Sequence, residues 1–111
     1  MVRVDISWTS NGDGNATDTT TKIRGTIERI DFVPGSGDVQ PTDQYDVTLQ
    51  DVNGFDALLA QGANLSNSTA SRVVRTGTSP VLPYATIGPL SLSVSGAGDS
   101  NSGTILIYVR R

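Results

Sequence analysis

The sequence predicts an all-β protein, either a small β-sandwich or a jelly-roll-like barrel, with six to eight short antiparallel strands. Apolar and polar residues alternate in several segments, which is typical of strands with one buried face. Gly, Asn and Ser cluster between these segments, where turns need them. Aromatic residues make up only 5% of the 111 residues, so Val, Ile and Leu are expected to build the core. This length predicts a single β domain over residues 1–111.

The first two strands are predicted on either side of a long polar loop. Polar residues alternate with apolar ones in the first strand, which contains Val2, Val4, Ile6 and Trp8. Trp8 is expected to anchor the core or an interface. Segment 9–21 is rich in Asn, Asp, Gly and Thr and is predicted to be a loop. In the next strand, residues 21–33, the apolar parity changes near Arg29, which predicts a β-bulge.

The middle of the chain predicts a strand and a tight turn. Alternation marks the strand, which contains Tyr45, Val47 and Leu49. A hairpin turn follows at residues 51–54, because Asn53 and Gly54 tolerate the positive φ that such turns require. Residues 55–59 are expected to return as a strand.

The segment between this turn and the C-terminal part of the chain is less regular. Residues 62–71 are predicted to form either a loop or a short helical turn. Val73 and Val74 are expected to add a short strand. Pro80 and Pro83 are expected to bracket an extended connection.

The C-terminal segment predicts two strands joined by the Gly-rich turn 96–103, and thus a hairpin. The first strand alternates serines with Leu90, Leu92 and Val94. The second contains Ile105, Ile107 and Val109, but residues 105–109 are apolar on both faces. Such a strand is expected at the centre of a sheet or at a subunit interface, and in either case it should be covered.

Charge is unevenly distributed along the chain. The net charge of −3 does not favour a nucleic-acid partner. Residues 31–56 contain six acidic residues and no Lys or Arg, whereas residues 57–111 contain four Arg and one Asp. One half of the chain is therefore able to attract the other half of a neighbouring copy; the alternative is scattered, solvated charge. No segment approaches the roughly 20 apolar residues of a membrane span, so no membrane partner is expected.

The sequence contains neither Cys nor His, which removes disulfides, the commonest metal ligand and the commonest general base. One weak metal candidate is a calcium loop with oxygen ligands at Asn11, Asp13, Asn15 and Asp18; the alternative is an ordinary turn. Paired carboxylates are able to catalyse glycoside hydrolysis, and a second candidate set consists of Asp38, Asp43, Asp46, Asp51 and Asp56. The alternative is that these residues have ordinary structural positions in turns and on the polar face of a strand. We expect no catalytic residues, no cofactor and no enzymatic activity.

Three segments resemble small virion proteins of tailed bacteriophages and prophages. They are GTIERIDFVPGSGDVQPTDQYDVTLQDVNG at residues 25–54, QGANLS at 61–66 and PLSLSVSGAGDSNSGTILIY at 89–108. The resemblance implies a capsid decoration, or cement, protein that binds the outside of the capsid lattice as a homotrimer. Its partner would be the phage major capsid protein, and its location the capsid surface after synthesis in the bacterial cytoplasm.

For such a protein, we expect interface residues in the last strand and near the N-terminus. The candidates are Trp8, Arg72, Arg75, Ile105, Ile107, Tyr108 and Val109, with residues 38–43 as further polar contacts. Two alternatives stay open. One is a tail or head–tail connector component, and the other is a calcium-assisted carbohydrate-binding β-sandwich.

Overall fold

A computed structural model describes residues 2–58, 61–74 and 84–110 of the chain and shows the predicted all-β class. Within these ranges, no helix is long and apolar enough to cross a membrane. A short 3-10 helix covers Gly37–Val39. The strands are β1 (Val2–Thr9), β2 (Ala16–Thr19), β3 (Ile23–Pro34), β4 (Asp46–Gln50), β5 (Ser71–Val74), β6 (Tyr84–Gly88), β7 (Ser91–Ser95) and β8 (Ser102–Arg110).

The strands form two antiparallel sheets that face each other as a β-sandwich. The larger sheet has the order β1-β8-β3, and both β5 and β6 pair with the far edge of β3. β5 pairs with the second half of β3 and β6 with the first half, so they lie end to end. The smaller sheet has the order β2-β7-β4. The sandwich alternative and the expected number of strands are therefore confirmed.

The core is one cluster of apolar side chains from the inner faces of both sheets, and it includes Leu49, Leu92, Phe32 and Ile107. Trp8 and Tyr45 meet in it, with ring centroids 5.6 Å apart. The Trp8 indole also covers Gly103, its cross-strand partner on β8. Burial raises the pKa of Tyr45 to about 12, because the phenolate form loses its hydration.

The predicted bulge in β3 is confirmed. The pairing of β3 with β8 shifts register between Ile27 and Arg29, so that Glu28 is an extra residue on β3. Ile27 and Ile30 are both buried in the core even though they are three residues apart. The bulge thus keeps Ile23, Ile27, Ile30 and Phe32 of this 12-residue strand inside and turns Arg29 outward.

The predicted C-terminal hairpin is wrong, because its two strands belong to different sheets. β7 pairs with β2 and β4, whereas β8 pairs with β1 and β3. The connection crosses from one sheet to the other and buries Ala97 between Gly96 and Gly98, both at positive φ. Alternation shows that each strand buries one face, but two strands that face each other across a core have the same pattern as a hairpin.

β8 is covered by its own sheet, which confirms the sheet-centre alternative. It lies between β1 and β3 and buries Ile105, Ile107 and Val109 in the core. On its outer face, Leu106 and Tyr108 are half-buried. Its apolar composition is thus explained within one chain.

Two further expectations from the first half of the chain need correction. The predicted loop 9–21 contains β2, whose only buried side chain is Ala16; one apolar residue leaves no alternation to detect. The strand expected at residues 55–59 is reduced, within residues 55–58, to one bridge between Asp56 and Gln50. The Asp56 carboxylate accepts hydrogen bonds from the backbone N–H groups of Leu49 and Leu58, which turns the chain away from a regular ladder.

The remaining elements were predicted in part. The turn at residues 51–54 is confirmed, but of the two residues expected at positive φ only Gly54 has it, at 86°, and Asn53 does not. Of residues 62–71, predicted as a loop or a short helical turn, residues 62–70 form a loop that is bridged to Tyr45 at Leu65, and Ser71 begins β5. The strand expected at Val73 and Val74 is the end of β5. β6 was not predicted, and the connection bracketed by Pro80 and Pro83 lies outside the described residues.

Candidate protein-binding surface

The outer face of the larger sheet carries a regular array of charged and aromatic side chains from four strands. In one cross-strand row, Tyr108 on β8 lies between Arg3 on β1 and Arg29 on β3. In the next row, Leu106 lies between Asp5 and Asp31, and Asp31 is followed by Arg72 on β5. We call these seven residues the outer charged face: Arg3, Asp5, Arg29, Asp31, Arg72, Leu106 and Tyr108.

Asp31 is the electrostatic centre of this face. The residue is buried, with 7% of its surface exposed, and both carboxylate oxygens accept hydrogen bonds from Arg72. The Nε–Oδ1 distance to Arg72 is 2.8 Å, and a nitrogen of Arg29 lies 3.2 Å from Oδ2. The hydrogen bonds and the charge of Asp31 raise the pKa of Arg72. Because the arrangement is bidentate, it fixes the direction of the guanidinium group.

Arg29 connects this carboxylate to the aromatic ring of Tyr108. Its guanidinium carbon lies 3.9 Å from the centre of the ring, a cation–π contact. The Nε of Arg29 is buried and has no hydrogen-bond partner among the described residues. The side chain is therefore held between Asp31 and Tyr108 before any partner arrives.

Arg3 and Asp5 form the opposite border of the face. Arg3 Nε lies 2.8 Å from Asp5 Oδ1, and both side chains are about half exposed. Hydrogen bonding to Tyr108 and then to Asp5 raises the pKa of Arg3. Charge on this border is accessible to solvent, whereas charge at the centre is preorganised and partly buried.

A shallow depression of about 300 Å³ adjoins Asp31 and Arg72, and Val33, Ala70 and Ser71 also line it. Val33 is 38% exposed. A partner side chain is thus able to contact an apolar surface directly beside the ion pair.

The outer face of the smaller sheet is different and carries mainly hydroxyl and amide side chains, with Asp46 opposite Ser95 at one end. One row brings together Thr17, Ser93 and Thr48, and the next Thr19, Ser91 and Gln50. These residues line an open groove of about 470 Å³, with Asp18 at its border. Hydroxyl and amide groups at strand spacing offer hydrogen bonds to a polar ligand.

The structure divides the predicted interface residues between core and surface. Trp8, Ile105, Ile107 and Val109 are buried in the core of one chain, so their side chains do not reach its surface. Tyr108 and Arg72 lie together on the outer charged face. Arg75 lies outside the described residues. Of the expected polar contacts at 38–43, Asp38 is exposed in the 3-10 helix.

The residues of the predicted calcium loop are split between a turn and a strand. The Asn11 side-chain oxygen accepts hydrogen bonds from the backbone N–H groups of Asp13 and Asn15. Asp18 lies on β2 and accepts from the N–H of Thr19. Within the three described ranges, no group of three or more carboxylates is placed to hold a metal ion. The side-chain oxygen of Asn11 is thus used in hydrogen bonds to the backbone of its own turn. Calcium binding stays a prediction.

Four of the five carboxylates considered for glycoside hydrolysis accept backbone hydrogen bonds. Asp43 accepts from the N–H of Asn67 and Asp46 from that of Asn64, at 3.2 and 2.8 Å. Asp51 accepts hydrogen bonds from the N–H groups of Asn53 and Phe55 in its own turn. Asp56 accepts from those of Leu49 and Leu58. These acids stabilise the loop that covers the edge of β4.

Sequence reasoning missed most of the outer charged face, although one signal was available. Arg-x-Asp occurs twice on predicted strands, as Arg3 with Asp5 and as Arg29 with Asp31. Side chains two apart on a strand share a face, so this spacing favours an ion pair within each strand. That both pairs flank β8 depends on strand order, which the sequence does not reveal.

Taken by itself, the structure defines an antiparallel β-sandwich with a charged face on one sheet and a hydroxyl-lined face on the other. No protein-family model matches the chain, and a search of the curated proteins finds no match. The assignment of function therefore rests on these surfaces and on the resemblance of the three segments.

Proposed function

We propose that the chain is a structural virion protein of a tailed phage, which decorates the outside of the capsid and stabilises it by bridging capsid subunits. The observation that carries the proposal is the outer charged face. It lies on the outer side of a four-strand array, and its central ion pairs are formed before binding. Such a surface suits a protein partner with complementary charges, because the alternating signs specify a register.

The resembling segments support the same proposal. Residues 25–54 contain β3 and β4, and residues 89–108 contain β7 and most of β8. These segments supply the central strands of both sheets and, within the outer charged face, Arg29, Asp31, Leu106 and Tyr108. A protein that binds only the assembled capsid stabilises that assembly by mass action, so no catalytic group is required.

The test is co-sedimentation with expanded capsids of the phage or prophage that encodes the chain. Arg72→Glu reverses a charge at the exposed end of the face, and its matched control is Lys22→Glu, the same charge change at an exposed residue outside the face. We expect the wild type and Lys22→Glu to pellet with capsids and Arg72→Glu to stay in the supernatant.

Circular dichroism must first show that both variants fold. If Arg72→Glu pellets as well as its control, the outer charged face is not the capsid contact. If neither the wild type nor Lys22→Glu pellets with capsids, the decoration function is refuted. The trimer implied by the resemblance is a separate prediction, tested by the mass in solution.

A second proposal concerns the groove of the smaller sheet, which favours a carbohydrate ligand. Its hydroxyl and amide groups are available for hydrogen bonds, and Asp18 connects it to the predicted calcium loop. Binding of a glycan should raise the melting temperature, and calcium should increase that shift. A panel of glycans that leaves the melting temperature unchanged, with and without calcium, would refute this proposal.

A further inference from the structure

The free edge of β1 has the properties of a pairing site. β1 pairs with β8 through all eight of its residues, but no strand in the described part of the chain pairs with its other edge. An open edge presents a row of backbone N–H and C=O groups that are able to extend the sheet. The edge strand contains no Pro, no Lys and no bulge, three of the features that block such pairing, and its two charged side chains, Arg3 and Asp5, lie on the outer face and not the inner one.

The inner side of β1 is also incompletely covered at this edge. Val2 is 37% exposed, and Val4 is half-buried against the core cluster. A strand added beside β1 would cover both side chains. The apolar surface and the unpaired backbone therefore favour the same partner geometry.

We propose that β1 pairs antiparallel with β1 of a second copy of the chain, about a two-fold axis at Val4. Directly opposed residues in an antiparallel pair have their side chains on the same face of the sheet. In a symmetric pair, opposed residues are therefore separated by an even number of positions along the sequence, and the two-fold axis passes between one residue and the same residue of the second copy. Centring on Val4 opposes Arg3 to Asp5 of the second copy and Val2 to Ile6 of the second copy. Unlike charges then meet on the outer face, and apolar side chains meet on the inner face.

Neighbouring registers fit the charges less well. Centring on Arg3 places two arginines opposite each other, and centring on Asp5 places two carboxylates opposite each other. Centring on Ile6 opposes Asp5 to Ser7 of the second copy and leaves both charges without a cross-strand counterpart. The charge pattern thus selects Val4, and each Arg3 gains a second carboxylate beside the one that it contacts at 2.8 Å.

This pairing goes beyond the proposed function, since it requires no capsid, and the dimer that it forms would replace the homotrimer that the resemblance implies. It would join two larger sheets into one and bring two outer charged faces side by side. Its first test is the mass in solution by light scattering, from about 10 to 500 µM. We expect the mass to rise to twice the 11.6 kDa of one chain. A mass of one chain throughout this range, or of three chains, overturns the pairing without bearing on capsid binding.

The second test is chain exchange with the double variant Arg3→Asp with Asp5→Arg. This variant keeps the ion pair within each chain and, at the Val4 register, between two variant chains. A mixed pair of wild-type and variant chains instead opposes two arginines and two carboxylates. Because the variant and wild-type chains have the same mass, one is labelled with ¹⁵N, and the two are refolded together for native mass spectrometry.

The matched control is the swap Arg110→Glu with Glu28→Arg. In the wild type these two residues form an ion pair, with Arg110 Nε 3.2 Å from Glu28 Oε1, and neither belongs to β1. The control should mix statistically with the wild type, so that half of the dimers are mixed. For the β1 variant, we expect mixed dimers to be about tenfold rarer than in the control. Equal mixing in the two experiments would overturn the Val4 register.

Discussion

Substitution of Gly103 by Ala should destabilise the protein, because the Trp8 indole lies where the new methyl group must go. A Cβ at position 103 would approach Trp8 Cζ2 to 2.7 Å and Cε2 to 2.8 Å. Trp8 is buried and packs on Tyr45, so the ring has little room to move. Overpacking typically costs about 1–3 kcal/mol, and the reduced entropy of the unfolded chain offsets about 0.4–1 kcal/mol. We expect a net loss of about 1–2 kcal/mol in unfolding free energy.

Urea denaturation followed by fluorescence measures this loss, because Trp8 is the only tryptophan. At this chain length the same loss lowers the melting temperature by about 4–8 °C. Gly12→Ala is the matched control, since a Cβ there meets nothing within 4 Å and Gly12 is not at positive φ. Equal stability of Gly103→Ala and Gly12→Ala would refute the proposed packing of the indole on β8.

Three further predictions concern the backbone and the core. Gly25→Ala should lower the unfolding free energy by about 3 kcal/mol or more in urea denaturation, because Gly25 has φ 142° and a Cβ would collide with the Arg110 carbonyl oxygen; unchanged stability would contradict that approach. Thr20→Val should cost about 1–3 kcal/mol, since the buried N–H of Leu90 loses its bond to the Thr20 hydroxyl, whereas Thr20→Ser should retain most of the stability. The raised pKa of Tyr45 means that the folded state holds its proton more tightly than the unfolded state, so stability is fully present below about pH 10 and is lost as pH rises towards 12. Urea titrations at pH 9 and 11 should show a loss of about 1 kcal/mol that is absent in Tyr45→Phe; the same loss in that variant would assign it to another group.

Much of the strand content was predictable because burial leaves a period-two pattern in the sequence. Alternation located β1, β4, β7 and β8, and the change of parity near Arg29 located the bulge in β3. β2 left no such pattern, since only one of its four side chains is buried. Strands were thus predicted correctly where several of their apolar side chains face the core.

The candidate surface was predictable only in fragments. Tyr108 and Arg72 were expected at an interface, and both lie on the outer charged face. Four other expected residues, on β1 and β8, are core residues, because β8 occupies the centre of its sheet. Arg29 and Asp31 were missed, since their importance comes from the strands that lie next to them.

The sequence by itself determined where the chain is extended, where it turns and which side of most strands is apolar. Only the tertiary structure decided which strands are neighbours. It separated β7 from β8 across the core and brought β1, β8, β3 and β5 together into one charged face. The physical reason is that side-chain alternation is a local property of the backbone, whereas strand pairing depends on hydrogen bonds between distant segments and on closure of a shared core.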